Sequence, residues 1–300
     1  MNLTLFLQLL LPGITTGCVY ALVAVGFVIC ANVSGVVNLA QGEYVMLGGM
    51  VAAWLAVAAG WPLVVAILAA MLVGAALGAL QEKLTLAPVR RAPPFIQVTT
   101  TVGVSIVVRG FALVLFGTDP LSLPGFSGDG VFFVGGAVMP VQSLWVWGMT
   151  LALLAATFGV LRYTDIGRAV RACSINLQAA RLMGVDAERL RVIVFAVSGA
   201  SGALAGAVVT PIVLSSWDAG ISYGIKGFVG AIIGGFRSPL LAVAGGIGIG
   251  LVEAFGAGYV SSGWKDFIVY GVLLAYLLIR GGVFRAGRAA FAAALANPMR

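Results

Sequence analysis

The sequence predicts an all-α fold: a polytopic transmembrane helix bundle of about eight or nine membrane segments, some of them broken or re-entrant. Three observations carry that reading. Only 9% of the 300 residues are charged, against roughly 25% in a soluble domain. Apolar residues make up 61%, and 42 positions are Gly, more apolar surface than a water-soluble fold of this length can hide. The apolar residues also fall in uncharged runs close to the roughly 20 residues that one span requires. The same composition excludes disorder.

Other counts remove whole classes of chemistry. There is no His, so His-based triads, proton relays and metal sites are absent. Cys18, Cys30 and Cys173 lie far apart and form neither a CxxC pair nor a disulfide framework. No metal-ligand spacing and no GxxxxGK[ST] phosphate loop occurs, and carboxylates stand singly. The net charge of +7 reads as the excess of Lys and Arg that cytoplasmic loops carry, not as a nucleic-acid footprint.

Taken in order, the first expected segment is 7–31. No Lys or Arg precedes Lys83, so the basic region of a cleaved leader is missing, and the segment is expected to be a retained span. The second, 36–59, opens with polar Asn38, Gln41 and Glu43. The third is 63–81, followed by Lys83, Arg90 and Arg91. The fourth, 95–117, contains Arg109, for which Glu43 and Glu253 are candidate ion-pair partners. Residues 118–141 hold Asp119 and Asp129 and no basic residue. Segments 142–161 and 192–214 flank a stretch with Arg162, Arg168, Arg171, Arg181, Arg189 and Arg191. The short segment 224–236 and its neighbour 240–258 either cross and return or dip in as a re-entrant hairpin. A last segment, 264–280, leads to a basic tail at 281–300.

The three basic stretches hold 13 of the 17 Lys and Arg residues. The positive-inside rule puts them in the cytoplasm and 118–141 outside. Counting spans then places the N-terminus outside and the C-terminus inside. Small residues at four-residue spacing (Gly13/Gly17, Gly74/Gly78, Gly202/Gly206, Gly246/Gly250) predict close helix packing.

Three further patterns are candidates for function. Asn38, Gln41, Gly42 and Glu43 interrupt an apolar stretch. They form either a broken helix beside a solute path or an interfacial loop, because polar groups at membrane depth are tolerated only where buried in protein or lining a cavity. Gly234, Gly235 and Ser238, before Pro239, mark a turn between two short apolar segments, a pattern that also recurs near substrate paths. The stretch 162–191 predicts a helix capped by Asp165, a second helix capped by Ser174 and ended by Gly184, and a third capped by Asp186. On the second, Ile175, Ala179, Leu182 and Met183 share one face. A face only two turns long is short for membrane anchoring and better suited to a partner's groove.

Four blocks, read together, resemble the membrane-spanning permease subunit of bacterial branched-chain amino acid ABC transporters of the leucine/isoleucine/valine type. They are GCVYALVAVGFVICANVSGVVNLAQGEYVMLGG at 17–49, TDIGRAVRACSINLQAARLMGVDAERL at 164–190, FAVSGASGALAGA at 195–207 and GFVGAIIGGFRSPLLAVAGGIGIGLVE at 227–253. The resemblance implies one transmembrane permease domain over 1–300 in the inner membrane. It implies work beside a second homologous permease subunit, two cytoplasmic ATPases and a periplasmic solute-binding protein, in contact with lipid and without nucleic acid. ATP and Mg would sit on the ATPases, and this chain would bind no cofactor and catalyse no reaction. The run Gln178–Gly184 looks like the EAAxxxG loop of importer permeases with Gln for Glu. It implies that Ile175, Asn176, Ala179, Ala180, Leu182, Met183 and Gly184 dock on the ATPase. The blocks around 38–43 and 230–238 would border the solute path. Arg237 and Leu241 stand where this family more often has Gly. Permeases for urea and short amides share the family, and an ion-coupled secondary transporter using Glu43 or Glu253 is the rival outside it.

Overall fold

The computed structural model describes residues 3–128, 130–236 and 238–280. Arg237 and the expected basic tail at 281–300 lie outside the described residues. Eleven helices are described. They are α1 (Leu3–Ser34), α2 (Gln41–Ala53), α3 (Leu63–Leu80), α4 (Pro94–Phe116), α5 (Gln142–Tyr163), α6 (Asp165–Ile175), α7 (Leu177–Leu182), α8 (Ala187–Val209), α9 (Ala219–Ile233), α10 (Pro239–Tyr259) and α11 (Lys265–Arg280). Helix α2 runs on into a π-helical turn at Trp54–Ala58, and α3 into another at Gln81–Leu86. Prolines set several starts. Pro94 and Pro239 occupy the first turns of α4 and α10, where a missing N–H costs nothing.

Among the described residues, seven helices are long and apolar enough to cross a bilayer: α1, α3 with its π-helical extension, α4, α5, α8, α10 and α11 with the preceding 3₁₀ turn. The protein is a multi-pass membrane protein. Helix α9 has 15 residues, about 22 Å of helix against a hydrocarbon core of about 30 Å.

The packing answers the question left open for 224–258. At one end of the bundle, Gln142 donates to the Val208 carbonyl at 2.9 Å, and Leu121 and Ser215 exchange backbone hydrogen bonds of 2.8 and 2.9 Å. At the other end, Ser238 lines one cavity with Arg162 and Arg171, and the Arg280 guanidinium stands beside Gly235. Chain 210–233 therefore runs from the first end to the second, and α10 returns. The chain thus passes twice between the two ends of the bundle, with the non-helical stretch 210–218 supplying the length that α9 lacks.

Helices α1 and α8 are the most buried spans. The predicted small-residue pairs fall on their crossings. Helices α1 and α10 run antiparallel, Gly13 and Gly17 against the turns that hold Gly246 and Gly250. A Cβ on Gly250 would stand 2.5 Å from the Gly13 carbonyl oxygen, and one on Gly17 would stand 2.8 Å from Ile247 Cα. Gly74 faces Gly199 across the α3–α8 contact, and Gly202 faces Tyr44 across α2–α8. Lipid offers helices no hydrophobic drive to associate, so this closeness is the source of the packing energy.

The loop 118–141 contains a hairpin that the sequence reading did not anticipate. Strand β1 (Val131–Val134) pairs antiparallel with β2 (Ala137–Pro140) around Gly135 and Gly136, both at positive φ. Two such residues between apolar runs favour a tight hairpin turn. The Val138 N–H donates to Gln8 Oε1 at 2.9 Å, which ties the hairpin to the start of α1.

Candidate functional site: a polar break and an exposed loop

The chain breaks its helix between Ser34 and Gln41, and the break lies inside protein rather than in an interfacial loop. Asn38, Gln41 and Glu43 are all essentially buried. Asn38 closes a ring of hydrogen bonds. Its Nδ2 donates to Tyr44 OH at 3.1 Å, Tyr44 OH donates to Gln81 Oε1 at 2.5 Å, and Gln81 Nε2 donates back to Asn38 Oδ1 at 2.6 Å. The Ala40 N–H also donates to Asn38 Oδ1. Backbone freed by the break is thus satisfied locally, as the bilayer demands. Gln41 is held by α8: Ser198 Oγ donates to Gln41 Oε1 at 2.8 Å.

Glu43 turns the other way. It lines a cavity of about 220 Å³ between α2, α4 and α9, with Ser105, Arg109, Gly224 and an apolar wall that includes Val102, Ile225 and Phe228. Ser105 Oγ donates to Glu43 Oε1 at 2.7 Å, Arg109 Nε stands 3.5 Å from the same oxygen, and an Arg109 terminal nitrogen donates to Ser105 Oγ at 3.2 Å. Of the two expected partners, Arg109 takes Glu43, not Glu253. Glu43 Oε2 is buried and has no hydrogen-bond partner among the described residues. Gly42 and Gly220 allow the approach: a Cβ on Gly42 would meet the Gly224 amide nitrogen at 2.5 Å.

Gly234, Gly235 and Ser238 do form the predicted turn, with Gly235 and Phe236 at positive φ. They sit at the basic end of α9. The structure does not gather them with 38–43: Gly42 and Glu43 pack against Gly220 at the opposite end of that helix. Ser238 instead lines a cavity of about 600 Å³ with Asn32, Arg162, Arg171 and Ser174.

The stretch 162–191 is helical as expected, with different caps. Thr164, not Asp165, caps α6, its side chain accepting from the Gly167 N–H. Asn176, not Ser174, caps α7 and accepts from the Gln178 and Ala179 amides at 3.0 Å each. An Asn carbonyl oxygen reaches the first free amides of a helix as well as a Ser hydroxyl does. Gly184, at φ +86°, follows α7, and Asp186 caps α8 as expected. Ile175 therefore ends α6 rather than lying on the same helix as Leu182. Ile175, Leu182 and Met183 are 87%, 89% and 85% exposed, Ala179 is exposed, and Ala180 packs inward.

The model of the family described as branched-chain amino acid transport system / permease component matches residues 9–277. The chain belongs to this family. Similar proteins include the high-affinity branched-chain amino acid transport system permease protein LivH of Escherichia coli K12, 31% identical over 91% of this chain and 93% of that protein. BraD of Pseudomonas aeruginosa, which carries the same description, is 29% identical over 92% of this chain and 94% of that protein. The ribose import permease protein RbsC of Haemophilus influenzae is 29% identical over 72% of this chain and 65% of that protein. No solved structure matches the chain.

Two further charge clusters of this permease pair residues that the sequence did not bring together, Glu253 having stood there as a candidate partner of Arg109. Lys226, a lone base in an apolar run, reaches Glu253 at 2.6 Å and Asp266 at 2.9 Å, and Tyr20 OH donates to Glu253 Oε2 at 2.6 Å. The isolated Lys was the visible signal; its partners lie 27 and 40 residues onward. At the basic end Arg90 bridges buried Glu82 at 3.1 Å and Glu188 at 2.6 Å, tying the end of α3 to the start of α8.

Proposed function

We propose that the chain is the permease subunit of an ATP-driven ABC importer that moves branched-chain amino acids into the cytoplasm. The basic end faces the cytoplasm of a bacterial inner membrane and the hairpin end faces outside. The permease works with a second homologous permease subunit, two cytoplasmic ATPases and a periplasmic solute-binding protein. ATP and Mg belong to the ATPases, and this chain makes and breaks no bond.

The observation that carries the reading is the α6–α7 loop. Three large apolar side chains stand exposed at the basic end, Ile175 at the end of α6 and Leu182 and Met183 where α7 ends, around a short helix capped by Asn176 and closed by the Gly184 turn. Solvent alone gives no reason to display them there. A groove on an ATPase does, and movement of that ATPase would then pull on α5 and α8, which flank the loop. Asn38, Gln41, Gly42 and Glu43 border the solute route on this reading, and Gly234, Gly235 and Ser238 lie where α9 meets its inner mouth. The ribose permease relative shows that family likeness does not fix the solute. Uptake of labelled leucine against labelled urea, in a strain lacking the gene and in one carrying it, decides. Gene-dependent leucine uptake supports the proposal; gene-dependent urea uptake alone rejects the substrate.

A further inference from the structure

The arginines at the basic end of the bundle are not all treated alike. Arg90 holds Glu82 and Glu188, Arg168 holds Asp165, and Arg189 holds Asp186. Arg162 and Arg171 have no carboxylate at ion-pair distance among the described residues. Yet the fold brings these two together. Arg171, on α6, donates to the Leu161 carbonyl in the last turn of α5, the residue before Arg162. That bond spends one of five guanidinium donors. Arg162 lies over the Tyr163 ring, 5.7 Å from its centroid. Two like charges so placed repel each other, and an anion between them relieves the repulsion.

Both arginines line the cavity of about 600 Å³, and no carboxylate lines it with them. The rest of its wall has two characters. Ile29, Phe158, Leu161 and Leu240 are apolar and belong to the spans α1, α5 and α10. Arg171 and Ser174 belong to α6, which follows the end of α5. The cavity therefore straddles the boundary between the spans and the chain beyond them. It opens at the surface, since Leu240 is 64% exposed and both arginines are exposed. The first turn of α10 stands at the same wall, and its cap residue Ser238 makes no side-chain cap hydrogen bond. Free amides at a helix N-terminus favour an anion. A ligand that fits brings an anion for the guanidiniums and an apolar chain for the spans. A free anion would leave the apolar wall uncovered, and a neutral lipid would leave the charges unanswered. An anionic phospholipid has both parts.

We propose that the cavity between α1, α5, α6 and α10 binds an anionic phospholipid, with its phosphate between Arg162 and Arg171 and an acyl chain along Phe158 and Leu240. Guanidinium groups suit phosphate because their donors match its oxygens in pairs. A basic pocket between spans is the general form of such a headgroup site. Bound there, the lipid joins α5 and α6 to the start of α10, elements that no hydrogen bond or ion pair connects among the described residues. The site requires only that the chain spans a membrane, so it stands apart from the importer reading.

The test uses the purified full chain in neutral detergent. It is titrated with phosphatidylglycerol and, separately, with phosphatidylcholine, and native mass spectrometry reads the bound lipid. Each arginine at the headgroup contributes about fivefold, so phosphatidylglycerol should bind about thirtyfold more tightly. Arg162→Gln/Arg171→Gln should remove that preference. Arg168→Gln/Arg189→Gln deletes the same charge at the same end but outside the cavity, and should keep it. Ser174→Asp retains both arginines and sets a carboxylate in the cavity from an exposed position, so folding is not at risk; it should also remove the preference. The unfolding temperature without lipid checks the fold of each variant. Inorganic phosphate in excess should not displace the phosphatidylglycerol. No preference in the wild type, or a preference that survives Arg162→Gln/Arg171→Gln and Ser174→Asp, overturns the site. Equal loss in the Arg168→Gln/Arg189→Gln control also overturns it, because the charge of the whole end would then hold the lipid. Displacement by inorganic phosphate overturns the lipid as occupant in favour of a soluble anion.

Discussion

At the scale of single residues, the polar break is a balance between two magnitudes. A hydrogen bond between side chains in a membrane protein is worth on average about 0.6 kcal/mol, while a buried donor left unsatisfied costs about 1–3 kcal/mol. The Asn38–Tyr44–Gln81 ring matters for the second reason. Asn38→Leu strands the Gln81 Nε2 and Ala40 N–H donors, which no other contact satisfies. It should destabilise the permease by about 2–4 kcal/mol, seen as a lower unfolding temperature of the purified complex. The glycines obey a different rule, that of hard contact. Gly250→Ala places its methyl 2.5 Å from the Gly13 carbonyl oxygen, whereas Gly248, on the same helix, has nothing within 4 Å of where a Cβ would go. The first should cost about 1–3 kcal/mol and the second should leave stability near wild type. Equal unfolding temperatures for the two would remove the argument that α1 and α10 meet through bare backbone.

At the scale of elements, α7 is six residues long, too short to persist as a helix without help. Its help comes from Asn176 at the front and the Gly184 turn behind. Loss of a side-chain cap costs about 1 kcal/mol, so Asn176→Ala should fray α7 and weaken ATPase co-purification several-fold. The exposed apolar pair makes a larger claim. Burying Leu182 and Met183 fully would contribute about 1.5–3 kcal/mol each. Halved for a shallow groove, that leaves about ten- to a hundredfold in affinity. Leu182→Asp/Met183→Asp should detach the ATPases and abolish uptake while the bundle survives, because both side chains point into solvent. ATPase that co-purifies in normal amount, with transport intact, would remove the loop from the coupling path.

At the scale of the whole molecule, the two ends of the bundle differ in charge, and the proposed orientation follows from that difference. Ser127 is exposed at the hairpin end and Ser174 at the basic end. The native thiols give a quiet background. Cys18, Cys30 and Cys173 are buried, and for Cys173, outside the spans, burial also pushes the thiol above its ordinary range, so little reactive thiolate forms near neutral pH. An impermeant thiol reagent should label Ser127→Cys in intact cells and reach Ser174→Cys only after the membrane is opened. The reverse pattern would invert the topology, and with it the side on which ATPases could dock.

Composition and charge spacing by themselves determined that this chain is a helical multi-pass membrane protein, roughly where its apolar runs lie, and where the patterned loop and the polar interruption fall. Those properties are one-dimensional: a run long enough to cross, a base too costly to bury without a partner, a glycine every fourth residue. The choice of helix caps was less legible, because Thr164 and Asp165, or Ser174 and Asn176, are adjacent residues with similar chemistry and only backbone φ and ψ separate them. The hairpin at 131–140 was carried by Gly135–Gly136, a signal outweighed by the helical character of everything around it. What only the tertiary structure decided is pairing. Arg109 had two candidate acids in sequence and took Glu43 because α4 packs against α2, while Lys226 took Glu253 because α9 packs against α10. The crossing of 210–233, too short as a helix, became evident once both its ends were fixed by contacts with distant parts of the chain. Burial patterns report what each segment must avoid; which segments meet is settled by the close contacts of glycine-lined helices, and those depend on all of the helices at once.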